Sequence, residues 1–440
     1  MPSAVPEHGD EASDFIPTHP LGLKPLGNQY FYEGPNARRN IGTWAALPEE
    51  MLALVLEGFD KSSLLSLGST CKYIDKEAKV DCSNVFSDVL HRPFACSNIE
   101  LEKFASKILK MNQIRRFENL TYEEYAEKWT EQPFVLTKCI QDWPVNSEWT
   151  IDSLLAKYAD VEFRAEAVDW KFSQYCEYMK RNRDESPLYL FDRKFAEKMG
   201  LKVGHMEGAA YWRPDCFGPD LFEVLGDERP AHRWLIIGPE RSGSTFHKDP
   251  NGTSAWNAVI QGSKYWIMFP PTAQVPGVYV SSDSSEVTSP LSIAEWLLTF
   301  HAEARQMPEC VEGICNAGEI LHVPSGWWHL VVNLEKGIAL TQNFVPQSPS
   351  LNLVSEVLSF LRDKPDQVSG FSRDVEDPFG LFTARLKHEY PEVLEKALEL
   401  ADKKNGKKRK WDTAVGRDEE QAEGFSFSFG FGGDDDDEIP

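Results

Sequence analysis

His247-Lys-Asp-Pro-Asn-Gly-Thr-Ser-Ala-Trp-Asn257 sets a histidine and a carboxylate two residues apart, just ahead of a short apolar and aromatic run. In an extended strand, residues two apart share a face, so His247 and Asp249 aim one way while Lys248 points the other. Another histidine, His329, closes the stretch Leu321-His-Val-Pro-Ser-Gly-Trp-Trp-His329 further along the chain. Two histidines and one carboxylate form the ligand set that holds ferrous iron on one face and leaves the opposite coordination positions open. A cosubstrate and dioxygen can meet on such open positions. A His-x-Asp triplet by itself arises often by chance, and an incidental exposed pair is the competing reading until other residues are weighed.

The neighbouring segments share one rhythm. Trp234-Leu-Ile-Ile-Gly238, Ser254-Ala-Trp-Asn-Ala-Val-Ile-Gln-Gly262, Lys264-Tyr-Trp-Ile-Met-Phe269 and Glu319-Ile-Leu-His-Val323 are short, apolar and bounded by Gly or Pro. Short runs of this kind predict a small all-β barrel or sandwich. In that setting His329 comes from a strand remote in sequence and adjacent in space. His322, in the same stretch as His329, reads as a strand residue rather than a ligand.

The region from about Arg115 to Pro346 resembles the Jumonji C (JmjC) oxygenases, in the branch that contains lysyl hydroxylase and arginine demethylase activities. The resemblance is carried by Trp143-Pro-Val-Asn-Ser-Glu-Trp-Thr150, Ser186-Pro-Leu-Tyr-Leu-Phe-Asp192, Ile237-Gly-Pro-Glu-Arg-Ser-Gly243, the two histidine stretches and Thr341-Gln-Asn-Phe344. It implies a mainly β core with helices, a double-stranded β-helix (jelly-roll, cupin-like barrel). It also implies Fe(II) held by His247, Asp249 and His329, with 2-oxoglutarate and O2 as cosubstrates.

The distal carboxylate of 2-oxoglutarate needs a buried cation and hydroxyl donors, because an unpaired charge inside a barrel is costly. Lys264 matches the family's lysine for that role and Thr341 its hydroxyl partner. Asn257, Ser244 and Tyr189 match further cosubstrate contacts, with Ser244 standing where relatives carry Thr. Taken outside the motif series, Lys264 reads as a solvated strand lysine. Substrate choice is expected at an aromatic mouth, with Phe191, Trp234 and Trp328 as candidates; each also reads as barrel or rim packing.

Ahead of this core, Leu47-Pro-Glu-Glu-Met-Leu-Ala-Leu-Val-Leu56 opens on Pro and two acids, favourable for a helix N-terminus. With Phe59–Leu67 and Cys71-Lys-Tyr-Ile74 it resembles an F-box, the small all-α module that docks a ubiquitin-ligase adaptor. The tryptophan usual just after the Cys is absent, with Tyr73 and Ile74 nearby. A helical hairpin packed on the oxygenase core is the alternative.

The expected organisation is a disordered segment at 1–40, an F-box-like helical domain at 41–100, the oxygenase domain at 101–350 and a C-terminal helical region at 351–402. A disordered tail, basic and then aromatic and acidic, is expected at 403–440. Pro290–Ala304 reads as an inserted amphipathic helix. Helices after the core suggest a homodimer, as the family resemblance implies. Lys403-Lys-Asn-Gly-Lys-Lys-Arg-Lys410 reads as a nuclear-import signal or a solvated helix end, so the expected compartment is the nucleus, with the cytoplasm as alternative.

Composition bounds the function classes. A formal net charge of -23 argues against broad binding to phosphate backbones and suits a basic protein substrate. The 8 cysteines are scattered and read as reduced thiols. No apolar run approaches membrane-spanning length. The leading expectation is hydroxylation of a protein side chain, lysine first, coupled to conversion of 2-oxoglutarate to succinate and CO2. The alternatives are N-methyl-arginine or -lysine demethylation, hydroxylation of transfer RNA, and a substrate receptor of a ubiquitin ligase.

Overall fold

The computed structural model describes residue 96 and residues 98–415, apart from 167, 282–286 and 291. The segment expected to be disordered at 1–40, nearly all of the F-box-like segment at 41–100 and the tail beyond 415 lie outside the described residues.

Eight strands make the central barrel: β1 (Arg233–Gly238), β2 (Gly243–His247), β3 (Ser254–Gln261), β4 (Ser263–Phe269), β5 (Val311–Asn316), β6 (Glu319–Val323), β7 (Trp328–Asn333) and β8 (Gly337–Phe344). They fall into two facing sheets. One has the order β6-β3-β8-β1 and the other β5-β4-β7-β2, with every pairing antiparallel. Consecutive strands therefore alternate between sheets in most steps, the jelly-roll solution to the problem of exposed sheet edges. The first sheet is widened on both sides. Phe134–Leu136 and Arg115–Phe117 add beside β6, while Leu190–Asp192, Glu162–Ala165 and Val168–Lys171 add beside β1.

Strands β3, β4, β7 and β8 are buried on both faces, which explains their near-continuous apolar runs, whereas β2 is half-buried. The inner face carries Val259, Trp266, Met268, Cys315, Leu321, Val323 and Val331 as one cluster. The outer face of the smaller sheet carries Phe246, Tyr265, Ile267, Phe269, Trp328, Leu330 and Val332, covered by Trp296 and Leu297 of helix α1 (Ile293–Gln306). This is the inserted amphipathic helix, capped by Ser292, whose side chain accepts from the backbone N–H of Glu295. Each large apolar side chain buried there stabilises the fold by about 1.5–3 kcal/mol.

A buried polar knot fastens α1 to the barrel. Arg305 meets the Glu312 carboxylate through Nε (2.8 Å) and Nη2 (2.7 Å), and Tyr265 and His301 complete the group. On the outer face of the larger sheet, His322 lies in β6 and stacks on Phe134, with Nε2 3.2 Å from the Tyr125 hydroxyl.

Behind the barrel, α2 (Asn352–Asp363), α3 (Pro378–Glu389) and α4 (Pro391–Val415) pack around Leu221, Phe222, Leu358, Phe382 and Leu386. Within the stretch expected as a tail from 403, the described part is helical: α4 runs through the basic residues to Val415. Lys and Arg propagate a helix well, and positive charge suits a helix C-terminus, so the charge change did not mark a structural boundary.

Candidate metal centre

Strand β7 delivers His329 and strand β2 delivers His247, and the two residues are directly paired across the sheet. Their rings lie 4.1 Å apart, centroid to centroid. Strand β2 ends at His247, and Asp249 follows in an extended conformation as the N-cap of the short helix Pro250–Gly252. One ligand atom from each of His247, Asp249 and His329 lies within 4.8 Å of the others. The three residues come from two segments remote in sequence and still converge.

A break in strand pairing shapes this end of the barrel. His329 pairs with His247, but Val331 pairs with Ser244, so β2 carries an extra residue against β7. Bulges of this kind re-aim side chains beside active sites. Here the bulge turns Ser244 and His247, three apart, to the same inner face, while Phe246 packs outward against Trp296. Gly243 permits the close approach: a Cβ there would stand 2.0 Å from the Val331 carbonyl oxygen.

The ring nitrogens are assigned by their neighbours. His247 Nδ1 donates to the Thr245 carbonyl at 2.8 Å and His329 Nδ1 to the Trp327 carbonyl at 3.0 Å. A backbone carbonyl can only accept, so the protons sit on Nδ1 and both Nε2 atoms keep lone pairs for a cation. Burial pushes the His329 imidazole down to about 4, and burial with the neighbouring His329 lowers His247. Asp249 is raised, again by burial. Its Oδ2 is buried without a hydrogen-bond partner. Two neutral imidazoles and a carboxylate with an unsatisfied oxygen fit Fe(II).

The cosubstrate candidates lie on the adjoining inner surface. Asn257, Thr341 and Trp234 form one cross-strand row over β3, β8 and β1. Lys264, on the facing sheet, pairs with Cys315 and Asn333. It is only 2 % exposed, and its Nζ donates to the Tyr189 hydroxyl at 2.8 Å. Among the described residues Lys264 makes no ion pair, and burial pushes its ammonium down to about 7. Asn257 Oδ1 is buried with no hydrogen-bond partner, and Thr341 Oγ1 donates to the Trp256 carbonyl at 2.8 Å. The buried Lys264 ammonium, without a counter-charge, is the feature of this surface that suits a carboxylate.

Of the expected mouth residues, Phe191 and Trp234 come together as a half-buried pair, rings 5.5 Å apart. Trp328 does not join them, and the expectation for it is corrected. Side chains alternate along β7, so the residue beside an inward His329 points outward. Trp328 belongs to the cluster beneath α1. Asn333 contributes to this region from outside every quoted motif, and Ser242, inside the Ile237–Gly243 motif, was given no role. The two-residue period from His329 through Val331 reaches Asn333 and was the available signal.

Comparisons with known proteins agree with this geometry. A family model described as a cupin-like domain matches residues 119–349. The chain is 36% identical to Arginine-specific demethylase JMJ22 of Arabidopsis thaliana, over 90% of this chain and 88% of that protein. It is 37% identical to Bifunctional arginine demethylase and lysyl-hydroxylase psr-1 of Caenorhabditis elegans, over 51% of this chain and 59% of the other. Identity is 25% to 2-oxoglutarate and iron-dependent oxygenase JMJD4 of Danio rerio, over 72% of each chain.

Proposed function

From the premise that the chain belongs to the cupin-like JmjC family and is an iron(II)- and 2-oxoglutarate-dependent oxygenase, we propose that it hydroxylates a basic protein side chain, lysine first. The observation that carries the reading is the convergence of His247, Asp249 and His329 beside the Lys264–Tyr189 pair in one barrel interior.

Iron(II) with 2-oxoglutarate and O2 supplies the oxidising chemistry: one oxygen atom enters a substrate C–H bond and the other ends in succinate as CO2 is lost. The chain's residues bind and orient. His247, Asp249 and His329 would hold the metal. Lys264 and Tyr189 take the distal carboxylate of 2-oxoglutarate, and Thr341, Asn257 and Ser244 line the space between the sheets. The apolar inner cluster around Trp266, Met268 and Val331 excludes water from that space.

Substrate class is read from the aromatic pair expected at the mouth. Phe191 and Trp234 present aromatic faces that attract a cationic side chain by about 0.5–2 kcal/mol. The net charge of -23 favours a basic partner. A second reading, N-methylarginine demethylation, is favoured by the relative named an arginine-specific demethylase, which matches 90% of this chain. Both readings share one step. Hydroxylation of an N-methyl carbon gives a hemiaminal that collapses to the amine and formaldehyde, whereas hydroxylation of a lysine methylene leaves a stable alcohol.

The test is incubation of the Fe(II)-loaded protein with 2-oxoglutarate and peptides carrying lysine or N-methylarginine. A gain of about 16 Da with stoichiometric succinate supports hydroxylation, and formaldehyde with loss of a methyl group supports demethylation. The His247→Ala and Asp249→Ala variants are expected to form no succinate. Full turnover by either would sink the assignment of the centre.

A further inference from the structure

A cleft of about 370 Å³ opens where the helical stretch after Thr121 meets the loop that follows β8 and the first turns of α4. The deeper part of its lining is apolar: Ala126 is buried, and Tyr122, Leu351 and Val393 are half-buried. The exposed part is acidic. Glu123 and Glu127 stand on one wall and Glu392 on the other, with Lys396 as the cation of the lining.

These charges do not balance within the cleft. Glu123 and Glu127 are four residues apart, so they share a helix face on which like charges repel. Among the described residues neither makes an ion pair, while Lys396 Nζ lies 4.0 Å from the Glu392 carboxylate. Two carboxylates are left over beside an apolar surface. The side chains that complement both features at once are Lys and Arg, which lay an apolar stem along such a surface and carry the charge at its edge.

The cleft lies beyond the end of the barrel that bears the metal centre. β8 ends there, with Phe344 paired to Ser254, and the chain runs on into the cleft wall at Gln347. Ser254 itself follows the turn headed by Asp249. The other wall is tied to the same end: Trp327 Nε1 donates to the Glu131 carbonyl at 3.2 Å, and Asn352 Nδ2 to the Glu131 carboxylate at 3.0 Å.

We propose that this cleft is a docking site for a Lys- or Arg-rich segment of the protein substrate, separate from the side chain that reaches the metal. The proposal rests on the reading that the substrate is a basic protein. Recognition is then divided: the barrel mouth takes one side chain, and the cleft takes neighbouring sequence and raises the local concentration of the target residue.

The test uses the full chain, without iron or 2-oxoglutarate, and a short fluorescent oligolysine peptide followed by anisotropy. The unaltered protein is expected to bind it, less tightly as salt rises. Glu123→Lys with Glu127→Lys should weaken binding roughly tenfold or more. Glu303→Lys with Glu309→Lys changes the net charge equally, on exposed residues outside the cleft, and should weaken it roughly twofold or less. Manganese(II) binding, read by electron paramagnetic resonance, checks that both variants are folded. No binding to the unaltered protein, equal loss in the two double variants, or undiminished binding by the first would each overturn the docking site.

In turnover of a lysine peptide with a Lys/Arg-rich flank, the first double variant should raise KM by a similar factor while kcat falls less; an unchanged KM would overturn its part in substrate docking. The two readings fail separately. Oligolysine held in the cleft, with lysine peptides left unmodified by the iron-loaded protein, would sink lysine hydroxylation and keep the basic-segment site.

Discussion

Lys248 Nζ stands 4.7 Å from the centroid of the Trp328 ring, on the outer side of the barrel wall whose inner side carries the metal centre. Lys248 separates His247 from Asp249, and Trp328 precedes His329. One cation–π contact thus ties together the two segments that bear all three ligands. Trp328→Leu keeps an apolar side chain under α1 and removes the ring face. It is expected to weaken manganese(II) binding roughly five- to tenfold, in line with about 1 kcal/mol for a partly desolvated cation–π pair. Metal titration followed by electron paramagnetic resonance reads this directly, and an unaltered affinity would leave Trp328 as packing alone.

Lys264 is expected to trade stability for ligand binding. In the unfolded chain its ammonium keeps a proton up to its ordinary value of about 10.5, whereas burial lowers that value to about 7 in the fold. Between those pH values the unfolded chain binds the extra proton, so this group's contribution to stability rises with pH across the window. Lys264→Met should therefore raise the melting temperature of the ligand-free protein at pH 7, with a smaller gain at pH 10. The same variant should weaken 2-oxoglutarate roughly ten- to hundredfold, as loss of a charge-assisted contact. A fall in melting temperature would show the lysine to be structurally supported in a way its burial does not suggest.

Arg305 and Glu312 form the opposite case, an ion pair that is satisfied without any ligand. Burial pushes the Glu312 carboxyl up, but hydrogen bonds from His301 and Arg305 more than offset it and hold it at about 2. Its stabilising contribution is present above the unfolded value of about 4.5 and is lost as pH falls from there toward 2. Arg305→Ala leaves a buried carboxylate unpaired and should destabilise the protein by about 3–5 kcal/mol. Denaturant unfolding at pH 7 measures the loss. A cost below about 1 kcal/mol would mean that the knot does not hold α1 to the barrel.

Trp234 tests the aromatic mouth. Trp234→Ala removes half of the Phe191–Trp234 pair while sparing the metal ligands, so 2-oxoglutarate decarboxylation without substrate should persist. KM for a basic peptide should rise roughly fivefold or more, and Trp234→Phe should restore part of it. Peptide kinetics unchanged by Trp234→Ala would place substrate recognition elsewhere.

Much of the fold and of the site was legible in the chain. The apolar strand runs, the histidine pair and the carboxylate between them, and the ordered motifs through Thr341 all marked a barrel with a metal centre. His322 was set aside as a strand residue, and it lies in β6 on the outer face of the sheet. Trp328 was misplaced because an aromatic beside a ligand reads as mouth until the strand phase is known. Asn333 and Ser242 were passed over because an Asn or a Ser carries no chemistry until its partners are in place.

What the sequence by itself determined is therefore the chemistry: which side chains are available to hold a metal and an anion, and the period-two pattern that sends alternate residues inward. Only the tertiary structure decided which of them meet. The bulge in β2 turns Ser244 to the same side as His247, the register of β4 against β7 sets Asn333 against Lys264, and strand phase turns Trp328 away from the interior. The reason is physical. Local propensity acts over a few residues, while the positions of His247 and His329 relative to each other are set by hydrogen bonds and packing between strands far apart in the chain.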